Sequence, residues 1–171
     1  MRLKREILVL PVTAAFVLLV DQFSKHTVAT KLVEGQSLDV VPWLASVFRI
    51  THVTNTGVAF GLFPGWGNFF VIVSSIVAVM ILAYYWYLPA GQLLVRVALG
   101  LQFGGAIGNL VDRLRLGFVV DFIDLNFWPL RNWPIFNFAD SAVVAGVTLL
   151  ALLMLWEEQR GQDKQRVTES G

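Results

Sequence analysis

The chain has 171 residues, 56% of them hydrophobic and 15% charged, with a net charge of +1 and a mean hydropathy of +0.66. A soluble domain usually carries about 25% charged residues, so this composition predicts an integral membrane protein. Near-zero net charge leaves no bulk electrostatic case for nucleic acid, and the lack of cysteine excludes disulfides, thiol nucleophiles and cysteine-based metal sites.

Four apolar segments predict spans at about residues 7–28, 66–88, 93–113 and 138–156, each close to the roughly 20 residues that a helix needs to cross a bilayer. The first carries Pro11 early and Asp21 in its outer third, behind the basic residues Arg2, Lys4 and Arg5. A cleaved signal peptide is the competing reading of such a start, but no convincing small-x-small cleavage site follows. Charges next to the first span commonly dominate orientation, which places both termini in the cytoplasm. The other basic residues, with Arg96 counted on the inside, are too evenly divided to add anything. Pro89-Ala90-Gly91-Gln92 then reads as a tight inner turn, and two longer loops, about 29–65 and 114–137, face outward. The polar tail after Trp156 frays into solvent.

In the first outer loop, Val47 to Thr54 is β-branched and aromatic, which predicts a strand. Asn55-Thr56-Gly57 follows as a turn. Trp43, Phe48, Phe60, Phe63 and Trp66 suit a membrane–water boundary. The expected architecture is one membrane domain over residues 1–171: an all-α bundle of four transmembrane helices with a small extracytoplasmic β-platform in the first outer loop. In the third span Gly100, Gly104 and Gly108 recur every four residues, a small-residue face that lets another helix approach. That approach would bring Asn109 and Arg113 near the start of the fourth span.

Two carboxylates stand out. Asp121 lies in Gly117-Phe118-Val119-Val120-Asp121-Phe122, and Asp140 in Phe136-Asn137-Phe138-Ala139-Asp140-Ser141. An ionisable group at membrane depth is a functional-site candidate, and two near one membrane face suggest a pair that shares a proton, as in aspartic proteases. Asp124 is an equal claimant, because spacing does not say whether it or Asp121 meets Asp140. Asn109 and Arg113 share a helix face. Arg113 either snorkels to headgroups or donates to a substrate carbonyl or a carboxylate. Asn137 or Asp140 could cap the last helix, a task that needs only one of them. Asp21 and Lys25 suit a structural i,i+4 pair. His26 and His52 fit no zinc pattern, and Ser24 beside Lys25 does not face it, which argues against a Ser–Lys protease. A proton-coupled transporter and a helix-packing scaffold are the rival classes. Neither aspartate sits in the Gly-x-Gly-Asp setting of presenilin-type proteases.

Five blocks in order resemble the lipoprotein signal peptidases, or type II signal peptidases, of bacterial membranes. They are Asp21-Gln22-x-Ser24-Lys25, Asn55-Thr56-Gly57-Val58-Ala59-Phe60, Gly104-Gly105-Ala106-x-Gly108-Asn109-x-x-Asp112-Arg113, Val119-Val120-Asp121-Phe122 and Phe136-Asn137-x-Ala139-Asp140-Ser141. Each block is weak alone and all five together are specific. Val58 departs from the alanine more usual there. The resemblance implies an aspartyl endopeptidase that removes the signal peptide of diacylglyceryl-modified prolipoproteins just before the lipidated cysteine. It implies Asp121 and Asp140 as the catalytic pair, and Asp21, Asn55, Gly57, Asn109, Arg113 and Asn137 as supporting residues. It further implies no metal or organic cofactor, inhibition by globomycin-type peptides, work as a monomer, and an active site toward the outer face of the cytoplasmic membrane.

Overall fold

The computed structural model describes residues 6–57 and 65–169, so Arg2, Lys4, Arg5, the Val58-Ala59-Phe60 end of the second block and Phe63 lie outside the described residues. Among the described residues there are four α-helices: α1 (Val9–Lys31), α2 (Gly67–Tyr87), α3 (Leu93–Leu116) and α4 (Phe138–Glu169). By length and composition, α2, α3 and the Phe138–Arg160 part of α4 are long and apolar enough to cross a membrane. α1 is long enough, but its outer third, Asp21 to His26, is polar. Leu19 and Phe23 on its outer face are more than 70% exposed. A water-soluble fold would bury such side chains; a bilayer requires them on the outside.

α3 is the axis of the bundle and packs against α1, α2 and α4. Its glycines explain how. A β-carbon at Gly100 would meet the Thr13 side chain at 2.7 Å, one at Gly104 would meet Val17 at 2.8 Å, and one at Gly108 would meet Asp21 Oδ2 at 2.7 Å. Contacts that advance together in steps of four mean that α1 runs parallel to α3 at the same depth, with Asp21 turned inward rather than toward lipid. The glycine stripe therefore faces α1 first. α4 is met mainly by Gly105, one position round the helix, whose β-carbon would overlap the Ala139 carbonyl. Gly146 of α4 returns the approach on Ala98 and Gln102, so α4 runs antiparallel to α3.

Gly117 ends α3 in a left-handed conformation (φ 83°), and its N–H bonds the Arg113 carbonyl at 3.1 Å. The chain then enters a sheet of three antiparallel strands in the order β1 (Ser37–Leu38), β2 (Phe48–Asn55), β3 (Val119–Leu125). The sheet is not confined to the first outer loop, because β3 comes from the second. Arg49 pairs with Asp124 and Asn55 with Val119, with a register shift between Ile50 and Val53. Phe122 and Ile123 both donate backbone N–H groups to the Phe136 carbonyl, at 3.0 and 2.7 Å. That bridge delivers Asn137 and the start of α4 to β3. Val28, Leu32 and Phe122 form the apolar cluster between α1 and the sheet.

At the other end of the bundle, Arg96 is 2% exposed. It donates to the carbonyls of Leu88 and Pro89 at 2.9 and 3.2 Å and lies 3.7 Å from Glu6. It closes the C-terminal end of α2.

Candidate active site

Asp121 sits in β3, where side chains alternate between faces, and is 2% exposed. Its Oδ1 accepts from Asn137 Nδ2 at 2.6 Å and its Oδ2 from Asn55 Nδ2 at 2.9 Å. Asp140 lies in the first turn of α4. Its Oδ1 accepts from Asn109 Nδ2 at 2.7 Å and its Oδ2 from the Asn137 backbone N–H at 3.2 Å. Asn137, fully buried, thus touches both carboxylates. Asp140 in turn donates its backbone N–H to Asn137 Oδ1 at 2.9 Å. This is a reciprocal cap of the capping-box kind. The two residues share the capping role that the sequence reading assigns to one, and the sharing also locks the Asp140 carboxylate in place.

An amide can flip unless a neighbour fixes which end is oxygen, and here each of three amides is fixed by an obligate donor. Asn55 Oδ1 accepts the Gly57 N–H at 2.9 Å, which is the part Gly57 plays. Asn137 Oδ1 accepts the Asp140 N–H. Asn109 Oδ1 accepts Lys25 Nζ at 2.9 Å and Asn137 Nδ2 at 3.2 Å. All three NH₂ ends are therefore left to point at carboxylates.

Burial pushes the Asp121 carboxyl up to about 7, and the neighbouring Asp140 charge adds to the push. The Asn55 and Asn137 hydrogen bonds and the Lys25 charge oppose it. Asp121 and Asp140 line one cavity of about 800 Å³, with Asn55, Asn109 and Arg113 on its polar wall. Its other walls are mostly apolar, from Val73 and Val77 of α2 to Val143 and Val144 of α4. Arg113 Nη2 donates to the Gly57 carbonyl at 3.1 Å, and the guanidinium lies 5.6 Å over the Phe70 ring. Its Nε is buried without a partner among the described residues. Arg113 therefore faces the cavity and the Gly57 turn and does not snorkel away from them.

Asp21 is fully buried and acts one step back. Its Oδ1 accepts the Ala139 N–H at 2.9 Å and its Oδ2 pairs with Lys25 at 2.8 Å. Asp124 is not in the cavity wall; it pairs with Arg49 at 2.7 Å and Thr51 at 2.8 Å. Ser24 bonds the Asp21 carbonyl, away from Lys25. His26 is exposed on α1, and His52 is buried with Nδ1 on the Leu32 carbonyl at 2.9 Å. Three residues join the site that sequence reasoning leaves outside it: Lys25, Gln22 and Asp112. Asp112 accepts from Lys25 at 3.0 Å, from Gln22 at 2.8 Å and from the Val120 N–H at 3.3 Å. The available signal is a lysine four residues after an aspartate inside an apolar span.

Acidic pairs held by neutral donors do aspartic chemistry, and this pair is embedded in a bundle built for lipid; the class is that of membrane aspartic peptidases. The family model for signal peptidase (SPase) II matches residues 13–156. A lipoprotein signal peptidase of Moorella thermoacetica is 47% identical over 83% of this chain and 89% of its own length, and that of Staphylococcus aureus 36% identical over 89% and 91%. Two solved structures, each described as a bacterial membrane enzyme, align with TM-scores of 0.81 and 0.77 at 35% and 36% identity, over 88% and 85% of this chain and 90% and 92% of theirs. The chain belongs to the signal peptidase II family of aspartic peptidases. It is a multi-pass bacterial membrane enzyme, which sets aside the transporter and scaffold readings.

Proposed function

We propose that this protein is an endopeptidase of the bacterial cytoplasmic membrane that removes signal peptides from prolipoproteins, with Asp121 and Asp140 as its catalytic pair. The observation that carries the proposal is Asn137: one buried side chain and its backbone N–H hold a carboxylate from the sheet and a carboxylate from α4 beside a single cavity. One carboxylate, ionised, takes a proton from water as the water attacks the scissile carbonyl. The other, protonated, gives its proton to the carbonyl oxygen. The tetrahedral intermediate then collapses as the leaving amine takes up a proton. Asn55, Asn109 and Asn137 keep both carboxylates oriented, Gly57 and Asp21 hold Asn55 and α4 in place, and Arg113 offers its spare donor to a substrate carbonyl.

The proposal includes a single membrane domain crossed by all four helices. The parallel register of α1 on α3 supports it, since α1 lies alongside a helix of spanning length. Both termini are cytoplasmic and the pair opens toward the outer face, where water is available. The substrate is a prolipoprotein whose cysteine carries a diacylglyceryl group, cut just before that cysteine. The apolar cavity wall suits a chain that lies partly in lipid, and each buried methylene contributes about 0.8 kcal/mol to attachment. A globomycin-type peptide would occupy the same cavity, the protein works as a monomer, and no cofactor enters the chemistry. The test is a gel-shift assay with purified enzyme and the same preprotein with and without its lipid, at equal concentration. The lipidated form should be cut and the bare form cut very poorly. Equal rates would mean that lipid is not read, and would favour a general membrane protease.

A further inference from the structure

Lys25 is 3% exposed and is not part of the cavity wall, so it cannot touch substrate. An ammonium has three donors and no acceptor, and here each donor is used: Asp21 Oδ2 at 2.8 Å, Asp112 Oδ2 at 3.0 Å and Asn109 Oδ1 at 2.9 Å. The pair with Asp21 alone would be an ordinary structural one. The third bond changes its meaning. Because Lys25 can only donate, Asn109 must present its oxygen to it, and the Asn109 NH₂ is then left to donate to Asp140 Oδ1 at 2.7 Å.

We propose that Lys25 is a positioning residue of the carboxylate pair: it holds the Asn109 amide in the one orientation that donates to Asp140. The proposal rests on the reading of Asp121 and Asp140 as the catalytic pair. Asn55 and Asn137 are oriented by backbone N–H groups, which side-chain substitutions other than proline leave in place. Asn109 is oriented by two side chains, Lys25 Nζ at 2.9 Å and Asn137 Nδ2 at 3.2 Å. Asn137 belongs to the carboxylate pair's own network, so Lys25, the shorter support, is the one that can be altered from outside the cavity. Without Lys25, only the longer Asn137 bond at 3.2 Å holds the Asn109 oxygen, and the amide is freer to turn that oxygen toward Asp140 and accept from a protonated carboxyl, which would favour the wrong proton position. The Lys25 charge also opposes the upward push on Asp121. The charged groups around this relay are Asp21 on α1, Asp112 and Arg113 on α3, Asp121 on β3 and Asp140 on α4.

The test compares wild type, Lys25→Met, and Lys25→Met combined with Asp112→Asn, all purified in detergent and assayed on lipidated preprotein. The double variant removes one cation and one anion, so the cluster keeps its net charge and the test stands if Lys25→Met alone fails to fold. In whichever folds, kcat should fall by about tenfold to a hundredfold, the range of a misplaced reacting group, while KM stays within about twofold. For Lys25→Met the bell-shaped pH profile should also move to higher pH, because the pair keeps its protons longer without a nearby cation. A lysine with only a structural role gives a different result: lower heat stability, with kcat and pH profile of the folded enzyme unchanged. That result overturns the proposal. Asp121→Asn and Asp140→Asn are run beside these variants. If they are active, the catalytic-pair reading itself has failed; if they are inactive while Lys25→Met is fully active, Lys25 alone is misassigned.

Discussion

Asp121 and Asp124 are three residues apart on one strand, and the fold treats them in opposite ways. Asp124 receives a cation: Arg49 pairs with it across the sheet at 2.7 Å, and Thr51 adds a hydroxyl. Asp121 receives only neutral amides and a second carboxylate nearby. A carboxylate given a cation works as a fastener. A buried carboxylate given amides and another acid can hold or release a proton near neutrality, which is what hydrolysis by an acid pair needs. The odd spacing along a strand turns the two side chains to opposite faces, so three residues suffice to separate the roles.

The sharpest way to break this comparison is to remove the charge at the amide-held carboxylates. Asp121→Asn and Asp140→Asn should each abolish detectable cleavage, a loss of at least about 10²–10⁴-fold as expected for removing a general acid or base. Both proteins should still be recovered from the membrane. Substantial turnover by either purified variant would end the pair.

The proton itself gives the next test. Asp121 lies near 7 against an ordinary value of 3.8. The rate should therefore fall as pH rises through about 7, when the pair loses its last proton, and fall again in acid when both carboxyls are protonated. The two limbs belong to the pair and not to one residue. Stability has a definite sign too. The native state holds a proton on Asp121 that the unfolded chain has released, so this group's stabilising effect is complete below about 4 and is lost as pH rises through about 7. A flat rate profile over the range where the enzyme stays folded would argue against a shared proton.

Arg113 sharpens the comparison from the side of the cations. Arg49 spends its Nε on Asp124, whereas among the described residues Arg113 Nε has no partner and its Nη2 meets a carbonyl. Lysine would keep the charge and lose the planar fork. Arg113→Lys should therefore lower kcat/KM by about tenfold, equivalent to about 1.4 kcal/mol. Wild-type rates for this variant would make Arg113 a structural residue.

The helices were legible because hydropathy is a local signal, and so was the middle strand of the sheet, β2, from its β-branched run. β3 was not, since its pairing with β2 joins residues about 70 apart in sequence and its own pattern, Val119-Val120-Asp121-Phe122-Ile123-Asp124, does not alternate cleanly. Asp121 and Asp140 were legible as isolated charges in apolar surroundings, but the choice of Asp121 over Asp124 needed the family resemblance. The burial of Arg96 was not legible, because a buried arginine closing a helix end and an exposed one have the same local sequence. The Lys25–Asn109 bond spans 84 residues and leaves no trace at i,i+4 spacing, which displays only the Asp21 partner.

The smallest expected effect is the most discriminating. Asp124→Asn removes a charge three residues from Asp121 on the same strand. If proximity along the chain mattered, this variant would lose activity as Asp121→Asn does. On the structural reading it loses one ion pair whose arginine side chain is 38% exposed, and the Asn side chain can still accept from Thr51. Partly exposed pairs of this kind contribute about 0.2–1 kcal/mol. The melting temperature should therefore drop only slightly, and kcat should stay within about threefold of wild type, under about 0.7 kcal/mol of barrier. The pH profile should not move, because Asp124 is not among the groups that shift Asp121. An inactive but well-folded Asp124→Asn enzyme, set beside an active Asp121→Asn enzyme, would reverse the assignment and make the Arg49-bound carboxylate the partner of Asp140.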